Sequence, residues 1–463
     1  MRVTVIYTIV FRRNHVAKRV INMDIDRNTG KILEMLESAG FEAYMVGGCV
    51  RDMMMGRIFH DTDITTNARP DEVAEVFSGY RIIPTGIKHG TVTVLSEGVP
   101  YEITTYRIDG EYTDSRRPDS VEFTRNIADD LSRRDFTVNA MAVDRHGNTV
   151  DLFGGKEDIE NKVIRCVGSP QKRFEEDALR IMRAVRFASQ LGFSIEENTS
   201  KAVHEMKGRL KNISRERVRD ELDKIICGKD CIRVLMEYSD VITEIIPEFK
   251  ACIGFEQHSP YHKYTVWEHI VRALGSAPAD NLNLRRTLLF HDIAKPVCAK
   301  FDENGRGHFK GHDEAGAEMT RKIMKNLRYD GKSTAYAVML IANHSKKVKN
   351  RIDVKKMMSG IGDELFFELM ELKKCDNLGK NPEYLYENKL YDELIKEGYR
   401  ILAKNECRGF RNLAVSGTDL LRMGLEGKEI GTALNEILNL VIEEKLLNDK
   451  SEIIKYAQQR WKK

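Results

Sequence analysis

No two of the eight cysteines, at positions 49, 166, 227, 231, 252, 298, 375 and 407, form a CxxC pair or keep a regular spacing. That excludes a zinc framework and a secreted disulfide scaffold, and it points to a reducing, cytoplasmic setting. Long apolar runs are also missing. The run near the start, Val3 to Phe11, falls far short of the roughly 20 residues that span a bilayer. Arg12 and Arg13 follow it instead of preceding it, and no small-residue cleavage site comes after, so it lacks the order of a secretory signal. Residues 1–23 read as an N-terminal extension or a start codon placed too early, with the folded chain beginning near Met23, and no membrane association is expected. Low-complexity tracts and Pro/Gly/Ser-rich stretches are absent, and 41% hydrophobic with 31% charged residues describes a folded chain, not a disordered one. An excess of one charge is lacking too. Lys and Arg number 74 against 71 Asp and Glu, so affinity for an acidic polymer must reside in local basic patches. No internal repeat stands out.

What is present is length and two kinds of periodicity. At 463 residues the chain exceeds a single core, and at roughly 100–200 residues per domain it holds about three or four units. Between Tyr44 and Phe153, short β-type runs alternate with turns: Tyr44–Val46, Asp61–Thr65, Thr91–Leu95, Tyr101–Tyr106, Val121–Thr124 and Ala140–Val143. This predicts a mixed-sheet domain with few helices. After Gly155 the apolar residues take a 3.6-residue period, as in Ala178, Leu179, Met182, Val185, Phe187 and Leu191, and the chain reads as helical to its end.

Chemistry-bearing residues cluster in the sheet region. Val46-Gly47-Gly48-Cys49-Val50-Arg51-Asp52 follows a β-type run and opens a short helix. Two glycines permit close backbone approach to a ligand, and free N–H groups at a helix start suit phosphate oxygens, although a Gly-Gly turn by itself is a structural device. Asp61 and Asp63 follow in Asp61-Thr62-Asp63-Ile64-Thr65-Thr66. On a strand both would project from one face, and two such carboxylates repel unless a cation lies between them, for which hard oxygen ligands favour Mg²⁺. Glu102, amid β-branched and aromatic residues, is placed to complete the cluster from a neighbouring strand or to sit on a polar strand face.

These motifs continue in a fixed order: Thr85-Gly86-Ile87-Lys88-His89-Gly90-Thr91-Val92, then Gly110 to Pro118, Arg133-Arg134-Asp135-Phe136-Thr137-Val138-Asn139-Ala140, Glu176-Asp177-Ala178-Leu179-Arg180, and Ser214-Arg215-Glu216-Arg217. The series, over about 43–225, resembles the head of the polymerase-β nucleotidyltransferase superfamily. More narrowly, it resembles the class II tRNA nucleotidyltransferases and bacterial poly(A) polymerases. The resemblance implies an α+β chain: a polymerase-β-like head with a mixed sheet, then an all-α neck, body and tail that include a helical HD domain. It implies template-independent addition of C, C and A to the 3′ end of tRNA from CTP and ATP. The tRNA 3′-hydroxyl would attack the α-phosphate and release pyrophosphate, with Asp61 and Asp63 holding two metal ions. Gly48 and Arg51 match positions that contact nucleotide phosphates, and Arg133, Arg134 and Asp135 match the motif associated with the ribose, without saying which arginine touches ligand. Asp177 and Arg180, at i and i+3 of one helix, match the pair that reads base edges. Ionised Asp only accepts and Arg only donates, which suits cytosine and adenine but not uracil or guanine. Arg183 and Arg186 continue that stripe toward the nucleotide, while Arg215, Arg217 and Arg219 read as bracing residues. The full-length Gly110–Pro118 loop favours CCA addition over CC addition. An A-adding enzyme or poly(A) polymerase is the alternative within the class.

Farther on, His269, His291-Asp292, His312, His344 and Asp376 occur in an order that resembles the HD metal-dependent phosphohydrolase domain. Imidazole and carboxylate ligands from separate helices suit one or two divalent transition metals that activate water. An HD-type phosphohydrolase with an RNA-binding head is therefore the alternative from another class. Lys346, Lys347, Lys349, Arg351, Lys355 and Lys356, with Arg460, Lys462 and Lys463, are candidate tRNA-backbone contacts. The expected layout is a head over 24–155, a neck over 156–225, a linker over 226–260, an HD domain over 261–380 and a tRNA-binding tail over 381–463. No protein partner is inferred.

Overall fold

The structure, a computed structural model, describes residues 3–8, 18–23, 25–59, 61–83, 86–87, 90–110 and 120–461. Thr85, Lys88 and His89, and the loop from Glu111 to Pro118, lie outside the described residues. By their contacts the residues group into two units, Met1–Asp230 and Cys231–Lys463.

In the first unit β1 (Val3–Thr8) pairs antiparallel with β2 (Lys18–Met23). A mixed sheet is then built from β3 (Ala43–Val46), β4 (Asp63–Thr66), β5 (Arg81–Ile83), β6 (Thr91–Ser96) and β7 (Val99–Thr105). A separate hairpin joins β8 (Arg107–Asp109) to β9 (Val121–Phe123). Then β10 (Met141–Val143) and β11 (Thr149–Asp151) complete the seven-stranded sheet, in the order β11-β10-β3-β4-β7-β6-β5. Only β4 and β7 run parallel, in the middle of the sheet. Alternation sorts their side chains: Ile64 and Ile103 are register partners inside the core, whereas Asp63 and Glu102 are partners one step earlier on the opposite face. The core face is covered by the helices Arg27–Ser38, Gly48–Met54 and Pro70–Val76, which contribute Ile32, Leu33, Leu36, Val50 and Val73. The helices Leu179–Leu191 and Arg215–Ile226 then pack on each other.

The second unit is helical apart from the two-residue pairing of Lys300–Phe301 with Gly307–His308. Its centre is the helix Val266–Ser276, packed between Leu282–Phe290 and Asp363–Leu378. Phe249 anchors this region against Trp267 and Phe290, with ring centroids 5.1 and 5.8 Å away. Gly379, just past the third helix, is needed there. A Cβ at that position would come within 2.9 Å of both Ala273 N and His269 O. The tail forms its own core from Cys407 to Ala457, around Leu420, Ile437 and Ile453.

Two sequence expectations shift. The strand read as Asp61–Thr65 begins at Asp63, because its pairing with β7 starts at Glu102, so Asp61 lies just ahead of the strand. The helical stretch after Gly155 also contains a short parallel pair, Val163–Ile164 with Ser194–Ile195.

Candidate active site and metal centre

In the head, β4 and β7 present Asp63 and Glu102 side by side. Partial burial pushes the Asp63 carboxyl above the ordinary carboxylate range; repulsion from Glu102 and Asp61 adds to this and Arg134 opposes it. Like charges crowded by neighbouring carboxylates, with hard oxygen donors, are chemically suited to a divalent cation such as Mg²⁺. Gly47 closes the other side at φ +82°, where a Cβ would lie 3.3 Å from Arg134 Nη1 and 3.7 Å from Asp63 Oδ2. The Gly-Gly turn therefore serves close approach, bringing backbone up to a carboxylate and a guanidinium.

The arginines are held by a framework that sequence reasoning did not single out. Asp130, fully buried, accepts from Arg133 Nε and Nη2 (3.0 and 2.6 Å) and from Arg134 Nη2 (3.2 Å). Its signal in the sequence is its spacing, three and four residues ahead of the Arg-Arg pair. Asp135 accepts from Arg183 (2.6 and 2.7 Å), Asn139 and its neighbour's backbone N–H. Burial works against its charge, but Arg183 and Arg180 outweigh that and hold its pKa at about 2. Arg51 is buried, donating to Asp52 and to Asn139 Oδ1 at 2.8 Å. Arg186 lies 4.2 Å over the Phe187 ring and pairs with Glu221, and burial lowers its pKa to about 10. Gly48, whose Cβ position is 3.7 Å from Arg51 Nη2, opens the same helix.

The pair read as i and i+3 of one helix is arranged differently. Asp177 is extended (φ −140°, ψ 104°) at a break between the helices Pro170–Glu176 and Leu179–Leu191. Its Oδ1 instead accepts from Leu179 N at 3.0 Å, capping the helix that carries Arg180. Arg217, read as a bracing residue, donates to Asp177 Oδ2 at 2.8 Å. Arg180 donates to Glu176 (2.6 Å) and to the Arg133 carbonyl (3.0 Å), which fixes it beside the arginine motif.

In the second unit all six HD residues converge. His269 Nε2 lies 2.9 Å from Asp292 Oδ2 and 3.1 Å from Asp376 Oδ1, and His291 Nε2 is 3.1 Å from His269 Nε2. On the other carboxylate oxygen, His312 and His344 each bring Nε2 to 3.4 Å of Asp292 Oδ1. Every one of the four rings turns Nδ1 to a backbone carbonyl, of Gly379, Leu288, Phe309 and Ile341 respectively, at 2.6–3.0 Å. Only an N–H satisfies a carbonyl, so each ring carries a proton on Nδ1 and leaves Nε2 as the atom directed to the centre, available to a metal once it is deprotonated. Burial disfavours a charge on His291, yet Asp292 and Asp376 override it and raise its pKa to about 9. Asp292 thus bridges two ligand sets, His269/His291/Asp376 and His312/His344. Among the described residues these are the only groups of three or more whose ligand atoms lie within 4.8 Å of one another; the head carboxylates form no such group. Two lysines that sequence reasoning did not single out, the buried Lys295 and the partly buried Lys380, lie 2.7 and 2.8 Å from Asp292 and Asp376. His262 packs 5.1 Å from the His269 ring, and no spacing marks it in the sequence.

A cavity of about 860 Å³ opens on this cluster. The basic stretch divides there: Lys346, Lys347 and Lys349 line the cavity, whereas Arg351, Lys355 and Lys356 are bound to Glu397, Glu406, Glu443 and Glu444. The second half of that stretch knits helices together and is not a free basic patch.

Residues 43–165 match the family described as the Poly A polymerase head domain, 192–253 a probable RNA- and SrmB-binding site of polymerase A, and 261–394 the HD domain. A CCA-adding enzyme of Lactobacillus helveticus is 36% identical over 92% of this chain and 95% of its own. One from Geobacillus thermodenitrificans is 53% identical over 42% of this chain and 48% of its own. The crystal structure of the Bacillus stearothermophilus CCA-adding enzyme in complex with CTP superposes with a TM-score of 0.71 at 27% identity, covering 94% of this chain and 97% of that one. The Thermotoga maritima CCA-adding enzyme complexed with tRNA shares the fold at TM-score 0.58 and 21% identity, covering 94% of this chain and 96% of that one.

Proposed function

The chain belongs to the family of CCA-adding enzymes, and on that footing we propose that it adds C, C and A to the 3′ end of tRNA, in the cytoplasm, from CTP and ATP and without a nucleic-acid template. The observation that carries this reading is the Asp63–Glu102 pair in register across the parallel strands, facing Gly47 and Arg134. In the reaction the tRNA 3′-oxygen forms a bond to the α-phosphorus, and the bond to the β-phosphate oxygen breaks, releasing pyrophosphate. Asp63 and Asp61, with Glu102, are the residues to hold Mg²⁺. The ions would supply activation of the 3′-hydroxyl and neutralisation of charge on the leaving oxygen. Gly48 and Arg51 serve the phosphates, and Arg133, Arg134, Asp135, Arg183 and Arg186 hold the nucleotide in place. Asp177 and Arg180 choose the base. A carboxylate has about four lone-pair sites, so Asp177 keeps acceptor capacity while bound to Arg217 and Leu179 N. Purified protein given tRNA lacking its CCA end should use labelled CTP alone to add C, and CTP with ATP to complete the end. Use of ATP but not CTP would instead identify an A-adding enzyme or poly(A) polymerase.

A second activity rests on the HD cluster. His269, His291, Asp292, His312, His344 and Asp376 would hold one or two divalent transition metals, which would supply an activated water for phosphate-ester hydrolysis. Lys346, Lys347 and Lys349, at the cavity wall, would attract the phosphate. Release of phosphate that survives Asp63→Ala but not Asp292→Asn would assign this activity to the second unit; its absence from metal-loaded wild type would remove it.

A further inference from the structure

We propose that Asp130 is a positioning residue of the transferase reaction, setting Arg133 and Arg134 relative to the strand that carries Asp63. The inference rests on the transferase reading above. Asp130 is in the short helix Ile127–Ser132 and is fully buried. Its Oδ1 takes both Nε and Nη2 of Arg133, at 3.0 and 2.6 Å. Its Oδ2 takes Arg134 Nη2 at 3.2 Å and lies 3.3 Å from the Thr65 hydroxyl, which is also 3.2 Å from the Thr104 carbonyl. Thr65 is two residues beyond Asp63 on β4, on the same face of the sheet.

Three guanidinium N–H groups, and a Thr65 hydroxyl shared with the Thr104 carbonyl, therefore surround a group with about four lone-pair sites. Fully buried and engaged by two arginines, it is not open to a ligand and acts through what it holds. Ordinary i,i+3 and i,i+4 pairs on an exposed helix contribute little. This one is buried, and a buried carboxylate is retained only with its partners in place. The pairing is also asymmetric in a useful way. Arg133 is held by a two-bond fork and its carbonyl accepts from Arg180, whereas Arg134 has a single bond to Asp130 and reaches toward Gly47 and Asp63. An asparagine at 130 best keeps the Arg133 fork on its oxygen. Its amide NH₂ would then face Arg134 and release it.

The test is steady-state kinetics of full-length Asp130→Asn on tRNA lacking CCA. The KM for CTP should rise about tenfold while the KM for tRNA holds, read at a temperature where the variant is folded; a tenfold change is large against ordinary surface substitutions. The double variant D130N/R134A should be no worse than R134A alone, because both changes remove one interaction. Asp130→Glu, which keeps the charge but moves it one methylene, should show the same split between the two KM values. An unchanged KM for CTP in a folded variant would overturn the proposal, as would KM values for both substrates rising in step with falling stability. A double variant clearly worse than R134A, or failure of both single variants to fold, would reassign Asp130 to a structural strut. Wild type that does not use CTP would instead count against the transferase reading.

Discussion

Gly47 shows how much of the candidate site depends on one atom that is missing. At φ +82° a non-glycine residue is strained by about 1–3 kcal/mol, and its Cβ would sit 3.3 Å from Arg134 Nη1. Gly47→Ala should therefore lower stability in urea by that amount and raise the KM for CTP, since Arg134 must give way. Asp63 behaves in the opposite sense. Its pKa is raised, so its charge is unfavourable in the folded state at neutral pH. Asp63→Asn should abolish nucleotide addition, a drop of at least about a thousandfold, yet leave the melting temperature equal or higher. Asp135 supplies the converse case: its folded pKa of about 2 lies below the ordinary value of 3.8. It contributes about 2 kcal/mol, fully present above pH 4 and lost as pH falls through 2. The stability gap between wild type and Asp135→Asn should accordingly close between pH 4 and 2. The DxD and Arg-Arg-Asp motifs were legible in the sequence because their spacing is local. Asp130 was not singled out, because a buried acid three residues from an arginine looks like any surface helix pair until its burial is known.

Among elements, the break at Asp177 is the clearest departure from what periodicity suggests. The apolar positions through Ala178, Leu179 and Met182 keep a helical period, so sequence alone runs one helix through the motif. What ends the first helix is Asp177 turning its side chain back to cap the next one, leaving Oδ2 for Arg217 on the helix Arg215–Ile226. Arg217→Ala should leave Asp177 without this anchor. Selectivity for CTP over UTP should fall by about five- to tenfold, measured as the ratio of kcat/KM values, with the KM for tRNA unchanged. The strand start moved for a related reason. Alternation placed Asp61 and Asp63 on one face, but pairing with Glu102 on β7 begins the strand at Asp63, and pairing is a long-range property that no local window contains. In the second unit the comparable element-level constraint is Gly379. Gly379→Ala would push Asp363–Leu378 off Val266–Ser276, the two helices that deliver Asp376 and His269. Bound metal should fall while transferase activity stays within about twofold.

At the scale of the molecule, the transferase residues and the HD cluster lie in two separately packed units, with the division at Asp230. The order of the HD ligands was readable because each sits in a short recognisable word, His291-Asp292 above all. What the sequence could not give was that Asp292 would bridge the two halves, or that all four imidazoles would spend Nδ1 on backbone carbonyls. It also ran the basic stretch through Arg351, Lys355 and Lys356, whose partners Glu397, Glu406, Glu443 and Glu444 lie some 40 to 90 residues away in the chain. These findings make the units independently testable. Protein purified with cobalt or manganese should carry about one or two ions per chain by elemental analysis, as the six ligands allow. Asp292→Asn replaces the bridging oxygens by one weak acceptor and an N–H₂ that cannot ligate, so both ligand sets lose their shared member and metal content should fall toward zero. His312→Ala touches only the second set and should leave the His269/His291 side loaded, giving a reduced but non-zero content. In all three proteins the rate of C addition to tRNA should agree within about twofold, because Asp61, Asp63 and Glu102 belong to the other unit. A normal metal content in Asp292→Asn would remove the bridge, and a parallel loss of C addition would mean that the two chemistries are coupled.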